Sequence, residues 1–252
     1  MNWLHCHRMV CNGMKANETC SGNEGKRKPK ADSLKRELSE FLIRSGAVKF
    51  GSFKLKSGRV SPYFVNLGAI GDGARMSELG AFYARAIVDA GLAERTDLLF
   101  GPSYKGIPIA VSTSVALHRD HGISIRFSFN RKEAKDHGEG GMIVGSALRD
   151  GDRVGILDDV MTTGKTKEEI LNVLRSAAKV EISYIMIAVD RLERGEAEIT
   201  ATREFEQRYG IRVLAIVDIN DVLSTALSLG LASDGDASSV HAYLAEYGGK
   251  AR

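Results

Sequence analysis

Val154–Thr166 reads VGILDDVMTTGKT: a short apolar run, two adjacent aspartates, a hydroxyl-bearing turn, then Gly164, Lys165 and Thr166. The closing triplet invites a nucleotide-triphosphatase reading. A phosphate loop of that kind has a glycine five residues before its Gly-Lys pair, so that the backbone can wrap the phosphates closely. Here that position is Asp159, a carboxylate pointing where phosphate would sit. The reading fails at that residue. What remains is a strand, a tight turn and a helix. Val154, Ile156 and Leu157 suit a buried parallel strand. Ile170, Leu171, Leu174, Ala177 and Ala178 recur at helical spacing, so a helix begins near Gly164 or Lys165.

A turn opening a helix offers free backbone amides to an anion, and Thr162, Thr163 and Thr166 add hydroxyl donors. Asp158 and Asp159 cannot hold the same anion; they suit hydroxyl groups or a cation. The stretch therefore asks for a ligand that carries a phosphate beside a sugar diol. The plainer alternative is a pair of turn-capping aspartates.

The surrounding chain sets limits. Its 252 residues allow one large α/β domain or two small ones, and 43% hydrophobic with 27% charged residues is ordinary for a globular protein. The net charge is +3, but residues 1–31 alone carry +4, so the rest is −1 and gives no electrostatic case for nucleic acid. The same 31 residues hold Cys6, Cys11, Cys20 and Trp3, and end near the basic run KRKPK. His5-Cys6-His7 lacks a second ligand pair at zinc-finger spacing. No apolar run there suits a signal peptide or a membrane span. The expectation is a flexible extension over 1–31, with Met14 as an alternative start and KRKPK as a solvated charge run. Absence of cysteine from the body and of an export signal makes the cytoplasm the default location.

From Asp32 the pattern is regular. Leu34, Leu38, Phe41 and Leu42 predict a helix capped by Asp32 or Ser33. Val48–Arg59 alternates around Gly51 as a hairpin, and Tyr63–Leu67 reads as a further strand. Helices are expected over about 75–90, 106–118, 194–209, 218–229 and 237–247. Strands are expected at 97–101, 124–129, 181–189 and 212–217, with a charged loop over 130–141. This alternation predicts a mostly parallel sheet with helices on both faces, whose ligand binds beyond the carboxyl ends of the strands.

Two other segments fall at those ends. FGPSYKGIPIA (Phe100–Ala110) repeats strand, turn and helix, and offers Tyr104 and Lys105 in the turn. RKEAKDHGEGG (Arg131–Gly141) sets Arg131, Lys132, Lys135 and His137 among glycine hinges, the composition of a lid over an anionic substrate. Read without a ligand, each is merely a solvated turn or loop.

Together with LKSGRVSPYF, VGSAL, ILDDV and DRLERG, these segments closely resemble the orotate phosphoribosyltransferases of the bacterial type, from about residue 34 to the end. The resemblance implies a type I phosphoribosyltransferase fold over 32–252, with a small hood drawn mainly from 32–70 and C-terminal segments. It implies transfer of 5-phosphoribose from phosphoribosyl diphosphate to N1 of orotate, with Mg²⁺ held mainly through the substrate. By motif, Asp158 and Asp159 correspond to the pair that holds the ribose hydroxyls. Thr162, Thr163, Gly164, Lys165 and Thr166 correspond to the 5′-phosphate cradle, with Val160 and Met161 in the same site. Tyr104 and Lys105 match the diphosphate turn, and Lys56 a hood contact near it. Arg131, Lys132, Lys135 and His137 match a mobile loop that serves the neighbouring subunit's site in a homodimer. Phe64, Val65, Thr162 and Arg191 match orotate contacts, and a guanidinium fork suits a carboxylate. The catalytic set implied is Asp158, Asp159, Lys105, Lys135 and His137. Lys165 departs from the small hydroxyl residue usual after the signature glycine, and Val65 replaces an aromatic. A phosphoribosyltransferase for another base shares the signature. A regulator that senses phosphoribosyl diphosphate would not need the basic loop.

Overall fold

A computed structural model of the chain describes residues 28–55, 58–135, 141–161 and 164–250. The expected extension therefore lies almost wholly outside the described residues, as do Lys56, His137, Thr162 and Thr163.

Six strands form the central sheet: β3 (Leu98–Gly101), β4 (Arg126–Lys135), β5 (Gly141–Gly145), β6 (Arg153–Val160), β7 (Glu181–Asp190) and β8 (Val213–Asp218). Their order is β5-β4-β3-β6-β7-β8, and only β5 runs antiparallel to its neighbour. A two-stranded antiparallel sheet, β1 (Val48–Lys54) with β2 (Val60–Val65), stands apart from it. The helices are α1 (Lys28–Arg44), α2 (Gly73–Asp89), α3 (Gly106–His121), α4 (Lys165–Ala177), α5 (Ala201–Tyr209), α6 (Ile219–Ser228) and α7 (Asp234–Tyr247).

Alternation along the strands divides the core in two, because successive side chains leave opposite faces of a sheet. Leu98, Phe100, Val154, Ile156, Ile185 and Ile187 pack with Ile170, Leu171 and Leu174 of α4 and Phe205 of α5. Leu99, Leu157, Tyr184, Met186 and Ala188 join the larger core, which takes in Leu38 of α1, Tyr83 of α2, Ile109 of α3, Val222 of α6 and Val240 of α7. The α/β class and the mostly parallel sheet are as the sequence implies. From β3 the chain moves outward to β4, and from β6 it moves the other way to β7 and β8. The order reverses between β3 and β6. A crevice opens beyond the carboxyl ends of such a strand pair.

Several boundaries differ from expectation. Helix α1 starts at Lys28, ahead of Asp32, because Pro29 suits a first helical turn, whose amides lack intrahelical partners. Gly51 does not turn a hairpin. It marks a bulge between Phe50 and Phe53, with φ 143°, and the turn lies between β1 and β2, where Leu55 N–H donates to Arg59 O at 2.8 Å. The 130–141 segment is not all loop, since β4 runs to Lys135 and Lys135 pairs with Gly141 at the start of β5. The helix expected from 194 begins only at Ala201, because residues 193–200 make isolated bridges, Glu193 with Gly248 and Arg194 with Thr200.

Candidate active site

Two strand-turn-helix units meet at the switch point. The first runs from β3 through Pro102–Lys105 into α3. A Cβ on Gly106 would stand 2.6 Å from Pro102 Cδ and 2.7 Å from Leu157 O, so only glycine lets this turn lie against β6. Asn130 of β4 braces the same turn. Its Oδ1 accepts from Ser103 N–H at 3.0 Å, and its Nδ2 donates to Ser103 Oγ at 3.1 Å. The second unit runs from β6 into α4, whose N-cap is Gly164 at φ 74°, a left-handed conformation that favours glycine.

Between them lies a cavity of about 560 Å³, lined by Ser103, Tyr104, Lys105, Lys132, Asp158, Asp159, Val160, Met161, Gly164 and Lys167. Eight of these ten residues are ones the sequence nominated. The Lys132 ammonium sits 4.8 Å from the centre of the Tyr104 ring, which brings the basic β4–β5 ribbon to the Pro102–Lys105 turn.

Asp158 and Asp159 are both buried. As neighbours on a strand they diverge, one toward α4 and the other toward α3. Asp159 Oδ2 accepts from Lys105 Nζ at 2.6 Å, and its Oδ1 from Val160 N–H at 2.9 Å. Asp158 repeats the arrangement: Oδ1 accepts from Asp159 N–H at 2.9 Å, and Oδ2 takes Lys167 Nζ. Burial pushes the Asp158 carboxyl up from its usual range, against the pull of Lys167, and the Asp159 charge pushes the same way. Tyr83 of α2 donates to Asp158 O at 2.6 Å. Burial, then the charges of Asp159 and Asp158, hold its hydroxyl well above the usual tyrosine value.

Lys167 gives Asp158 a buried salt bridge that the sequence analysis does not anticipate. Sequence reasoning missed this lysine although a signal was present. Lys167 stands three, four and seven residues before Ile170, Leu171 and Leu174, so it falls on the buried stripe of α4. A lysine there requires a partner.

The other nominated residues are placed elsewhere. Arg191 follows β7 and donates from Nη2 to Glu193 Oε1 at 2.5 Å; its guanidinium lies 5.5 Å from the Tyr63 ring centre. Its Nε is buried without a hydrogen-bond partner. Tyr63 of β2 donates toward Arg191 O at 3.0 Å and Glu193 Oε1 at 2.9 Å, which ties the small sheet to the end of β7. Tyr63 also packs edge-on against Tyr243 of α7. Phe64 is exposed and stacks on Phe53, whereas Val65 is buried in the larger core, so their side chains leave opposite faces of β2. Arg131 donates to Gly141 O at 3.1 Å across the ribbon and does not line the cavity. Lys135, Lys165 and Thr166 are placed in their elements, but their side chains lie outside the description.

Comparison with known proteins agrees with this geometry. Residues 66–229 match the phosphoribosyl transferase domain model. The orotate phosphoribosyltransferase of Yersinia enterocolitica is 48% identical over 192 residues, covering 76% of this chain and 88% of that protein. That of Bifidobacterium longum strain DJO10A is 42% identical over 229 residues, covering 86% and 99%. The chain belongs to the orotate phosphoribosyltransferase family. A crystal structure of the family's Francisella tularensis member superimposes with a TM-score of 0.72 at 32% identity, covering 83% of this chain and 98% of that one. The type I phosphoribosyltransferase fold expected from the sequence is thus the fold found. Among the described residues no helix is long and apolar enough to cross a membrane.

Proposed function

We propose that the cavity between β3 and β6 binds 5-phosphoribosyl 1-diphosphate, and that this orotate phosphoribosyltransferase moves the 5-phosphoribosyl group to N1 of orotate there. The products are orotidine 5′-phosphate and diphosphate. The observation that carries the reading is the meeting of both strand-turn-helix units, with Tyr104, Lys105, Asp158 and Asp159, in one cavity at the switch point.

In this reading Asp158 and Asp159 take the ribose hydroxyls. The turn at Val160–Thr166 and the amides opening α4 take the 5′-phosphate. Lys105 leaves Asp159 for the diphosphate, a move open to it because its side chain is 44% exposed. Breaking the anomeric bond leaves positive charge on the sugar and negative charge on the departing diphosphate. The carboxylates favour the first; Lys105, Lys132, Arg131, Lys135 and His137 favour the second. Lys56, by its motif, would also serve the diphosphate. Closure of the basic ribbon excludes water from the sugar cation. The unpartnered Arg191 Nε suits the orotate carboxylate, with Phe64 and Thr162 beside the ring and Val65 acting through the packing beneath it.

Mg²⁺ belongs to this reading as a partner of the diphosphate. Among the described residues no group of three or more His, Cys, Asp or Glu could hold a metal, and both cavity aspartates already engage lysines, a donor set suited to a cation carried by the substrate. When bound, it would neutralise charge growing on the leaving oxygens. We place the enzyme in the cytoplasm as a homodimer whose 131–141 ribbon completes the neighbouring site.

Orotate absorbance should fall on mixing with phosphoribosyl diphosphate and Mg²⁺; unchanged absorbance with folded protein would contradict the assignment. The shared ribbon has its own test. Lys135→Ala and Asp159→Asn, each poorly active, should recover roughly a quarter of wild-type activity when their subunits exchange at random, because half the dimers are mixed and one of their two sites is whole. Activity at the parental level, with exchange shown by mass, would place each ribbon over its own subunit.

A further inference from the structure

Lys167 has no part in the reaction as described, yet it lies against one of the two buried carboxylates of the site. It is 4% exposed. Its Nζ reaches Asp158 Oδ2 and, more distantly, Val160 O at 3.4 Å. A lysine so buried is tolerated only when its charge is matched. Among the described residues, the groups facing Asp158 are Lys167 from α4, Asp159 along β6, and Tyr83 from α2, which bonds the backbone carbonyl. Lys105 reaches Asp159 from the β3–α3 turn, and Lys132 lines the same cavity from β4. Among the described residues, only Lys167 gives the Asp158 carboxylate a cation in direct contact.

The two lysine locks also differ in mobility. Lys105 is nearly half exposed and stands at a turn, free to exchange one anion for another. Lys167 stands on the stripe of α4 that carries Ile170 and Leu171 to the sheet, and its side chain is only 5% exposed.

We propose that Lys167 is a positioning residue: it stays on Asp158 through the reaction and holds that carboxylate ionised and aimed at the ribose, while Asp159 is the one that changes partner. The proposal rests on Asp158 facing the ribose. It adds a fixed partner for that aspartate, supplied by the helix that also opens the phosphate turn.

Three variants test it: Lys167→Met, Asp158→Asn, and both together. Each is assayed for kcat and KM for phosphoribosyl diphosphate at pH 6 and pH 9, and for Tm. Lys167→Met should raise KM about tenfold at pH 6 and less at pH 9, with kcat less affected, because a carboxylate that loses its counter-ion is protonated more readily. Asp158→Asn should lower Tm by leaving Lys167 buried and unmatched. Adding Lys167→Met should restore Tm without restoring KM. A folded Lys167→Met with wild-type KM at both pH values, beside an impaired Asp158→Asn, would overturn the proposal alone. Wild-type KM in Asp158→Asn would instead remove the ribose reading and the proposal with it. Should Lys167→Met not fold by itself, the double variant decides: a Tm no higher than that of Asp158→Asn contradicts the pairing.

Discussion

At the amino end of the two central strands, Asp97 just ahead of β3 receives the guanidinium of Arg153, the first residue of β6. Arg153 donates from Nε to Oδ2 at 2.8 Å, from Nη2 to Oδ1 at 2.9 Å and from its backbone N–H to Oδ2 at 2.9 Å. At the carboxyl end of the same strands, Asp158 and Asp159 meet Lys167 and Lys105. Both ends pair acids with bases, but the physics is opposite in sign. The hydrogen bonds from Arg153 hold the Asp97 carboxyl below its usual range, and water stays close. At Asp158 burial pushes the carboxyl up and its lysine only partly compensates. One end fastens two strands together. The other keeps charge in a place where charge is costly, as the proposed meeting with a sugar cation requires.

The largest difference should appear when each acid is made neutral. On the proposed reading, Asp158→Asn with Asp159→Asn removes two charge-assisted contacts to the ribose, roughly 3 kcal/mol or more, so kcat/KM for phosphoribosyl diphosphate should fall at least about a hundredfold. Because Lys167 is then buried without a counter-charge, Tm should fall as well. Wild-type kinetics in this variant would remove the diol assignment and erase the contrast between the ends.

Lys105→Ala should come next, with turnover down about tenfold or more through lost stabilisation of the leaving group. Its side chain is half out of the protein, so Tm should barely move. A large fall in Tm with normal turnover would make the carboxyl end a structural clamp like the amino end.

The smallest effect belongs to Asp97→Asn, which should leave KM and kcat alone and lower Tm slightly, since partly exposed pairs contribute little. Its pH dependence has a defined sign. A carboxyl whose folded pKa is depressed contributes above its unfolded pKa of about 4 and loses that contribution as pH falls through the folded value. The Tm gap between wild type and Asp97→Asn should therefore narrow below about pH 4. A gap at Asp97 that widened in acid would reverse the comparison.

Much of this was legible in the sequence because the decisive signals are local. The apolar run of β6, the helical spacing of α4 and the turn between them lie within one short stretch. Tyr104, Lys105, Asp158 and Asp159 could be nominated because turns at strand ends collect ligands in parallel sheets. What stayed hidden needs the third dimension. That Asp158 and Asp159 diverge to different lysines follows from strand alternation only once α3 and α4 are known to lie on opposite faces. Asn130 bracing Ser103 joins two strands through side chains no spacing connects. The bulge at Gly51 resembled a turn because a glycine amid alternating residues carries either meaning. Lys167 was readable in principle, but a lysine beside glutamates at a helix start passes for surface until the stripe is traced through it.

The central claim is that the switch-point cavity holds phosphoribosyl diphosphate in one orientation. A crystal structure of the complex with phosphoribosyl diphosphate tests it directly. The account predicts the 5′-phosphate at the Gly164 turn, the ribose hydroxyls on Asp158 and Asp159, Lys105 moved from Asp159 to the diphosphate, and Lys167 still on Asp158. Ligand bound away from β3 and β6, for instance in the groove between α6 and α7 that Leu223, Leu227 and Leu244 line, or in the cavity with Lys105 still on Asp159, would contradict it.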